Sequence, residues 1–447
     1  MRGLTVRCIL HGGRPMPLNP TLDLKNGSTP IMITIDQSCV ERFLRYVSFD
    51  TQSSEESASY PSTEKQKILG RQLVEELREM GLADAGMDEW GYVTATLPAN
   101  AGHSVPVIGL IAHMDTSPEV SGADVKPVIH KNYQGGDLNL PAGVVIRADE
   151  TPELARQLGN DIITSDGNTL LGADNKAGIA EIFSAIRYLI DHPEIAHGRL
   201  RIAVTPDEEV GRGTEHFDVK GFGADFAYTI DGETLGEVED ETFCADSVTI
   251  TISGVNLHPG YAKGKLVNAT RIAARLIANL PQDALSPETT SGREGYIHPH
   301  HLTGTVEEAV IKFLIRDFTV EGLKEKETLL QQWAGEAMKS YPKARMDFRV
   351  DESYRNMKYE INKEPRVVEY ALEAVQRAGI TPIRNIIRGG TDGSRLSYQG
   401  LLTPNIFTGG HNFHSRQEWI SIQDMQKAVQ VIVLLAAVWA EKAAPVA

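Results

Sequence analysis

The stretch "PVIGLIAHMDTSPE", residues 106–119, runs an almost unbroken apolar segment into a histidine and an acid two positions apart. An apolar run without polar alternation reads as a strand buried on both faces, the habit of an α/β sheet. Side chains at i and i+2 of an extended segment point the same way, so His113 and Asp115 can face one site where the strand ends. A metal-bound imidazole commonly hands its other N–H to a carboxylate, which would place Asp115 behind His113. The same spacing also fits a strand-end histidine followed by a helix-capping aspartate.

Outward from this segment the pattern repeats. "SCVERFLRYV" and "EKQKILGRQLVEELREMGL" carry apolar residues at helical spacing, the second closed by Gly81, and "AGIAEIFSAIRYLIDH" is helical again. "GRLRIAVTPDEE" and "ADFAYTIDG" are further apolar strands running into acidic turns. Near Ser247 the pattern changes to the two-residue alternation of "SVTITISGV", followed by helical "NATRIAARLIANL", strand-like "AVIKFLIRDF", helical "EGLKEKETLLQQWAGEAMKSY" and strand-like "ARMDFRV". The expected fold is α/β: a catalytic domain with a mixed, largely buried sheet flanked by helices, built from 34–246 and 354–447. A smaller α+β lid domain, 247–353, is inserted into it. Residues 1–33, with "HGGRPMPLNP" and "LKNGSTP", lack a sustained period and read as a flexible N-terminal extension without the apolar core of a secretory signal.

A net charge of −16 over 447 residues argues against a nucleic-acid or anionic-membrane partner, because the field repels phosphate. Three cysteines, Cys8, Cys39 and Cys244, form no CxxC pair, which disfavours a disulfide scaffold or a thiolate zinc site and suits a cytoplasmic protein. The apolar stretch 431–440 is too short to span a bilayer and reads as a buried C-terminal helix.

Five acidic or histidine clusters fall where strands are expected to stop: "HMD" (113–115), "GADNKAG" (172–178), "PDEEVG" (206–211), "TIDGE" (229–233) and "GGHNFHS" (409–415). In an α/β sheet the carboxyl ends of the strands gather at one crevice, where ligands bind. Glu208 and Glu209 are adjacent, so in extended chain one can bind a metal while the other faces substrate. Each cluster also has a plainer reading: Asp174 as a helix N-cap, Asp231-Gly232 as a turn, the glutamates as a surface pair. Five together favour convergence. Histidine and carboxylate ligands suit zinc, or less selectively manganese or cobalt. No HExxH, GxSxG or GxxxxGK[ST] sequence occurs, which removes support for single-zinc, serine-hydrolase and P-loop chemistries.

The segments "IAHMDTSPE", "TLLGADNKAGIAEI", "TPDEEVGRG", "TIDGETLGEVEDETF", "NLHPGYAKGKLVNA", "IRGGTDGSRLS" and "NIFTGGHNFHS" occur in an order that resembles the peptidase T family. That family comprises tripeptide aminopeptidases within the M20 group of co-catalytic dizinc hydrolases. The resemblance runs from about Thr34 to the C-terminus. It implies His113 and Asp231 as ligands of one zinc, Glu209 and His414 as ligands of the other, and Asp174 as the bridge. It further implies Asp115 as the residue orienting His113 and Glu208 as general base toward a metal-bridged hydroxide. His258, Arg388 and Asn268 would bind substrate, His258 at the scissile carbonyl and Arg388 at the peptide's C-terminal carboxylate. His411 leaves two histidines in "GGHNFHS", and spacing favours His414 as the ligand. The expected partner is a short peptide, chiefly a tripeptide, with no nucleic acid and no membrane; a homodimer through the lid domain stays open. Two alternatives remain: another M20 amidohydrolase, either a dipeptidase or an N-acyl-amino-acid deacylase, and a noncatalytic peptide-binding relative.

Overall fold

An eight-stranded mixed sheet frames the computed structural model, which describes residues 37–443 together with Ile33 and Ile35. The N-terminal extension and Cys8 lie outside the described residues. The strands are Gly86–Met87, Val93–Leu97, Leu200–Thr205, Ile108–His113, Phe226–Gly232, Asn405–Phe407, Glu237–Thr242 and Ile383–Ile387, in that spatial order. Four consecutive strands at its centre, beginning with Leu200–Thr205 and ending with Asn405–Phe407, pair in parallel. Their carboxyl ends therefore share one edge. The Ile108–His113 strand is buried at every position, as its unbroken apolar run requires.

Helices cover the sheet. Ala173–Asp191 packs against Ile108–His113 and Phe226–Gly232, and Ile422–Ala443 packs against Ala173–Asp191 and Arg366–Arg377. Ile422–Ala443 is the one described helix long and apolar enough to cross a membrane, yet Val431, Ile432, Val433, Leu435 and Trp439 are buried inside the fold. Its apolarity serves the core.

The residues from Cys244 to Tyr354 form a separate antiparallel sheet, ordered Tyr296–Gly304, Glu308–Asp317, Cys244–Ser253, Arg345–Tyr354. The alternation in "SVTITIS" turns Val248, Ile250 and Ile252 toward Ile272, Leu276, Leu323 and Leu330 of two covering helices, Ala269–Ala278 and Val320–Met338. One face of this sheet is thus core, and the other carries the intervening polar positions.

Inside the larger unit Glu181 is fully buried, and neither of its carboxyl oxygens has a hydrogen-bond partner among the described residues. Burial, reinforced by the charge of Asp424, raises its pKa well above 4.5. A raised carboxyl stabilises the fold fully below its unfolded pKa and loses that stability as pH climbs toward the folded pKa, because the unfolded chain ionises first. Glu181→Gln removes this penalty. Its stability relative to wild type should rise as pH climbs above about 4.5, where the unfolded glutamate ionises, measured by denaturant unfolding across a pH series. A difference independent of pH would contradict the assignment.

Candidate metal centre

The shared strand edge gathers the clusters named from the sequence. His113 ends its strand buried, with Nε2 2.9 Å from Asp174 Oδ1 and 3.5 Å from Asp231 Oδ1. Asp174 turns its other oxygen to His414, Oδ2 lying 3.3 Å from His414 Nε2. Glu209 Oε2 lies 2.7 Å from the same nitrogen. The structure thus brings together His113, Asp174, Glu209, Asp231 and His414, with Asp174 between the two histidines. Ligand atoms of His113, Asp174 and Glu209 lie within 4.8 Å of one another.

Each of these residues is delivered by its local backbone. Gly178 lets the Ala173–Asp191 helix seat against the Phe226–Gly232 strand that carries Asp231: a Cβ there would lie 2.0 Å from the Ile230 carbonyl oxygen. The turn before Glu208 is held at Asp207, whose φ of +56° is unusual for a residue other than glycine. Its carboxylate accepts from Ser62 N at 2.5 Å, Ser62 Oγ at 2.6 Å and Gln66 Nε2 at 2.6 Å. His414 and Asn412 are likewise left-handed, at φ +58° and +56°. These three positions store backbone strain around one site.

Asp115 reaches further than the His113 pairing. Its Oδ1 lies 3.3 Å from His113 Nδ1, while its two oxygens accept the backbone N–H groups of Glu208 at 3.0 Å and Glu209 at 3.1 Å. One fully buried carboxylate therefore fixes both His113 and the glutamate pair. Glu119 plays the matching part at the other histidine, with Oε2 3.5 Å from His414 Nδ1.

The electrostatics favour cations. Burial, with Asp174 adding repulsion, pushes Glu209 up to about 8 despite the pull of His414. Burial also raises Asp231 to about 6 against the pull of His113. Burial lowers His414, but Asp174 and Glu209 outweigh it and lift the imidazole to about 11. Glu209 Oε1 is buried without a hydrogen-bond partner among the described residues. An orphaned carboxylate oxygen among crowded acids and imidazoles is the environment that divalent metal ions relieve, and nitrogen–oxygen donors without sulfur fit zinc, manganese or cobalt. Burial pushes Glu208 well above the carboxylate range, and Asp392, Asp231 and Glu209 add to this against the pull of His113.

Four other sequence candidates stand in different surroundings. His411 stacks on Trp419 with ring centroids 4.4 Å apart, and burial pulls it down to about 4. His258 is exposed, its Nδ1 accepting from Gly260 N at 3.2 Å. Asn268, expected at substrate, instead spends its side-chain oxygen on Arg271 N as the N-cap of Ala269–Ala278. Arg388, expected as a carboxylate clamp, donates to the carbonyls of Gly292 at 2.7 Å and Glu294 at 2.8 Å and to Thr290 Oγ1 at 2.9 Å, above the Phe243 ring. The sequence reading missed Asp207, Ser62, Gln66, Glu119 and two buried acids. One is Asp392, accepting from Thr205 Oγ1 at 2.8 Å; the other is Glu418, just before the Trp419–Ser421 strand, accepting from Leu171 N in the loop before Asp174 at 2.6 Å. Asp207, Glu119 and Asp392 carried a local signal, their places in "PDEEVG", "IAHMDTSPE" and "RGGTDGS".

Comparison with known proteins agrees with this geometry. The sequence profile of Peptidase family M20/M25/M40 matches residues 165–437. Peptidase T of Bacillus pumilus is 47% identical over 409 residues, covering 91% of this chain and 100% of the relative. Peptidase T of Caldanaerobacter subterraneus is 49% identical over 405 residues, covering 90% and 99%. Among solved structures, aminopeptidase PepT from Bacillus cereus superposes with a TM-score of 0.70 at 25% identity, covering 91% of this chain and 99% of that one. The chain belongs to peptidase family M20/M25/M40 and, within it, to the peptidase T group.

Proposed function

We propose that the protein is a metallo-aminopeptidase that removes the N-terminal residue from tripeptides. The observation that carries this is the placement of Asp174 between His113 and His414, with Asp231 and Glu209 completing a donor set for two ions. Zinc is the metal of this reading, with manganese or cobalt as substitutes. His113 and Asp231 would hold one ion, Glu209 and His414 the other, and Asp174 both. When bound, such ions polarise a carbonyl and acidify a water. The protein's own part is to order and move protons. Glu208 takes a proton from the attacking water and returns it to the amine nitrogen as the peptide C–N bond breaks. Asp115 keeps Glu208 and Glu209 apart by fixing both their backbone N–H groups. His258, carried on the lid domain (247–353), would reach the scissile carbonyl oxygen only when that domain closes over the catalytic domain (34–246 and 354–447). Low cysteine usage, three in 447 residues with Cys39 and Cys244 both buried, suits a cytoplasmic enzyme.

Arg388 would leave the carbonyls of Gly292 and Glu294 for the substrate's C-terminal carboxylate, a stronger, charge-assisted acceptor. Losing such a clamp costs about 1.5–3 kcal/mol, a tenfold to hundredfold loss of kcat/KM. Arg388→Ala should therefore impair free tripeptides far more than their C-terminal amides. Equal impairment of both would make Arg388 a brace for the 290–294 loop instead. The function itself is tested with a panel of tripeptides, dipeptides and N-acyl-amino acids. Preference for tripeptides with a free amino terminus is the expected result, and preferential deacylation would favour a different amidohydrolase of the same family.

A further inference from the structure

We propose that Glu418 is a positioning residue for the metal centre, holding the backbone that presents Asp174 and joining it to the segment that presents His414. Its side chain is buried and accepts three backbone N–H groups: Leu171 at 2.6 Å and Gly172 at 2.8 Å on Oε2, and Asp174 itself at 3.1 Å on Oε1. Both oxygens are thereby occupied, so Glu418 is a support and not a sixth ligand. Asp174 and Asn175 are not themselves helical, and the helix that follows is capped locally by Asn175, whose Oδ1 accepts from Gly178 N at 3.2 Å. The turn before it, which presents Asp174, is instead held from 244 positions away, at the foot of the turn that carries the second ligand histidine.

That turn is itself constrained. Asn412 and His414 are left-handed, Ser415 Oγ donates to the Asn412 carbonyl at 2.7 Å, and Glu418 N donates to the Ser415 carbonyl at 3.4 Å. Directly after Glu418, the Trp419–Ser421 strand pairs antiparallel with Ile162–Thr164, the strand that leads toward Leu171 and Gly172. Two segments far apart in sequence are thus pinned on both sides of one carboxylate. A carboxylate this deep is costly unless hydrogen-bonded, and every bond found here falls on the backbone leading into Asp174. Displacing that backbone would move Asp174 relative to His414, which it meets at 3.3 Å.

The inference rests on the two-ion reading of the site. Wild type and E418Q are stripped of metal and titrated with Co2+ against a competing chelator; visible spectra and Tm are recorded with and without the ion. Wild type should bind two ions. E418Q, nearly isosteric but with one oxygen replaced by a donor, should bind them about 10–100-fold more weakly. Its Co2+ bands should be altered, and its gain in Tm on loading should shrink. E418D keeps the charge but is one methylene short; it should show the same losses to a smaller degree, and it carries the comparison if E418Q does not fold. A role confined to bracing the 171–174 turn for folding would lower Tm equally in stripped and loaded protein while leaving affinity and spectrum at wild-type values, and that result overturns the proposal. A wild-type chain that binds fewer than two ions overturns the two-ion reading, and the inference with it.

Discussion

Glu208→Gln is expected to lower kcat by about 10²–10⁴-fold, the range for losing a positioned general base, while each chain still binds two metal ions. The two glutamates are consecutive, yet Glu209 meets His414 at 2.7 Å whereas burial and the charges of Asp392, Asp231 and Glu209 act together on Glu208. Their backbone N–H groups are fixed by the two oxygens of Asp115, which keeps one side chain among the ligands and leaves the other free to exchange a proton. KM should change little, because a base that acts only in the transition state contributes nothing to ground-state binding. Kinetics with metal analysis on the same preparation checks both halves. Loss of an ion from Glu208→Gln would mean that the division between the two glutamates is wrong.

Asp174→Ala should have a larger effect, removing tripeptide hydrolysis and most of the bound metal together. One oxygen of Asp174 lies against His113 and the other against His414, so truncation takes a donor from both halves of the site. A metal ion supplies several kcal/mol of transition-state stabilisation, and each 1.36 kcal/mol is tenfold, so turnover should fall by roughly 10³-fold or more. Glu209→Ala serves as the comparison, because it removes a donor from one half alone and should leave about one ion per chain. If Asp174→Ala and Glu209→Ala lose the same single ion, Asp174 does not stand between two sites.

Much of this arrangement was legible in the chain. Unbroken apolar runs ending in acids or histidines marked the parallel strands, and their common edge follows from the topology of such sheets. The alternation in "SVTITISGV" marked the second sheet, and the spacing within "GGHNFHS" favours His414 over His411 as a ligand. The Glu237–Thr242 strand, "EVEDET", was not legible as a strand, since acids rarely line a buried one. It is satisfied by partners distant in sequence: Asn405 Nδ2 on Glu239 at 2.8 Å, Asn385 Nδ2 on Glu237 at 3.1 Å, and Arg293 and Lys358 on Glu241. Glu418 and the Ser62–Gln66–Asp207 network escaped for the same reason: their bonds span 141 to 247 residues and no local pattern encodes them. Asn268 was the opposite case, a helix cap with a plain local signature in "VNATRIA" that the family resemblance drew toward substrate.

The central claim, that paired divalent ions held around Asp174 make this chain a tripeptide aminopeptidase, is tested most directly by metal analysis of the purified protein coupled to tripeptide hydrolysis before and after chelation. The expected result is two ions per chain, loss of hydrolysis as they are stripped, and recovery when two equivalents are returned. Undiminished hydrolysis by protein holding less than one ion per chain would contradict it.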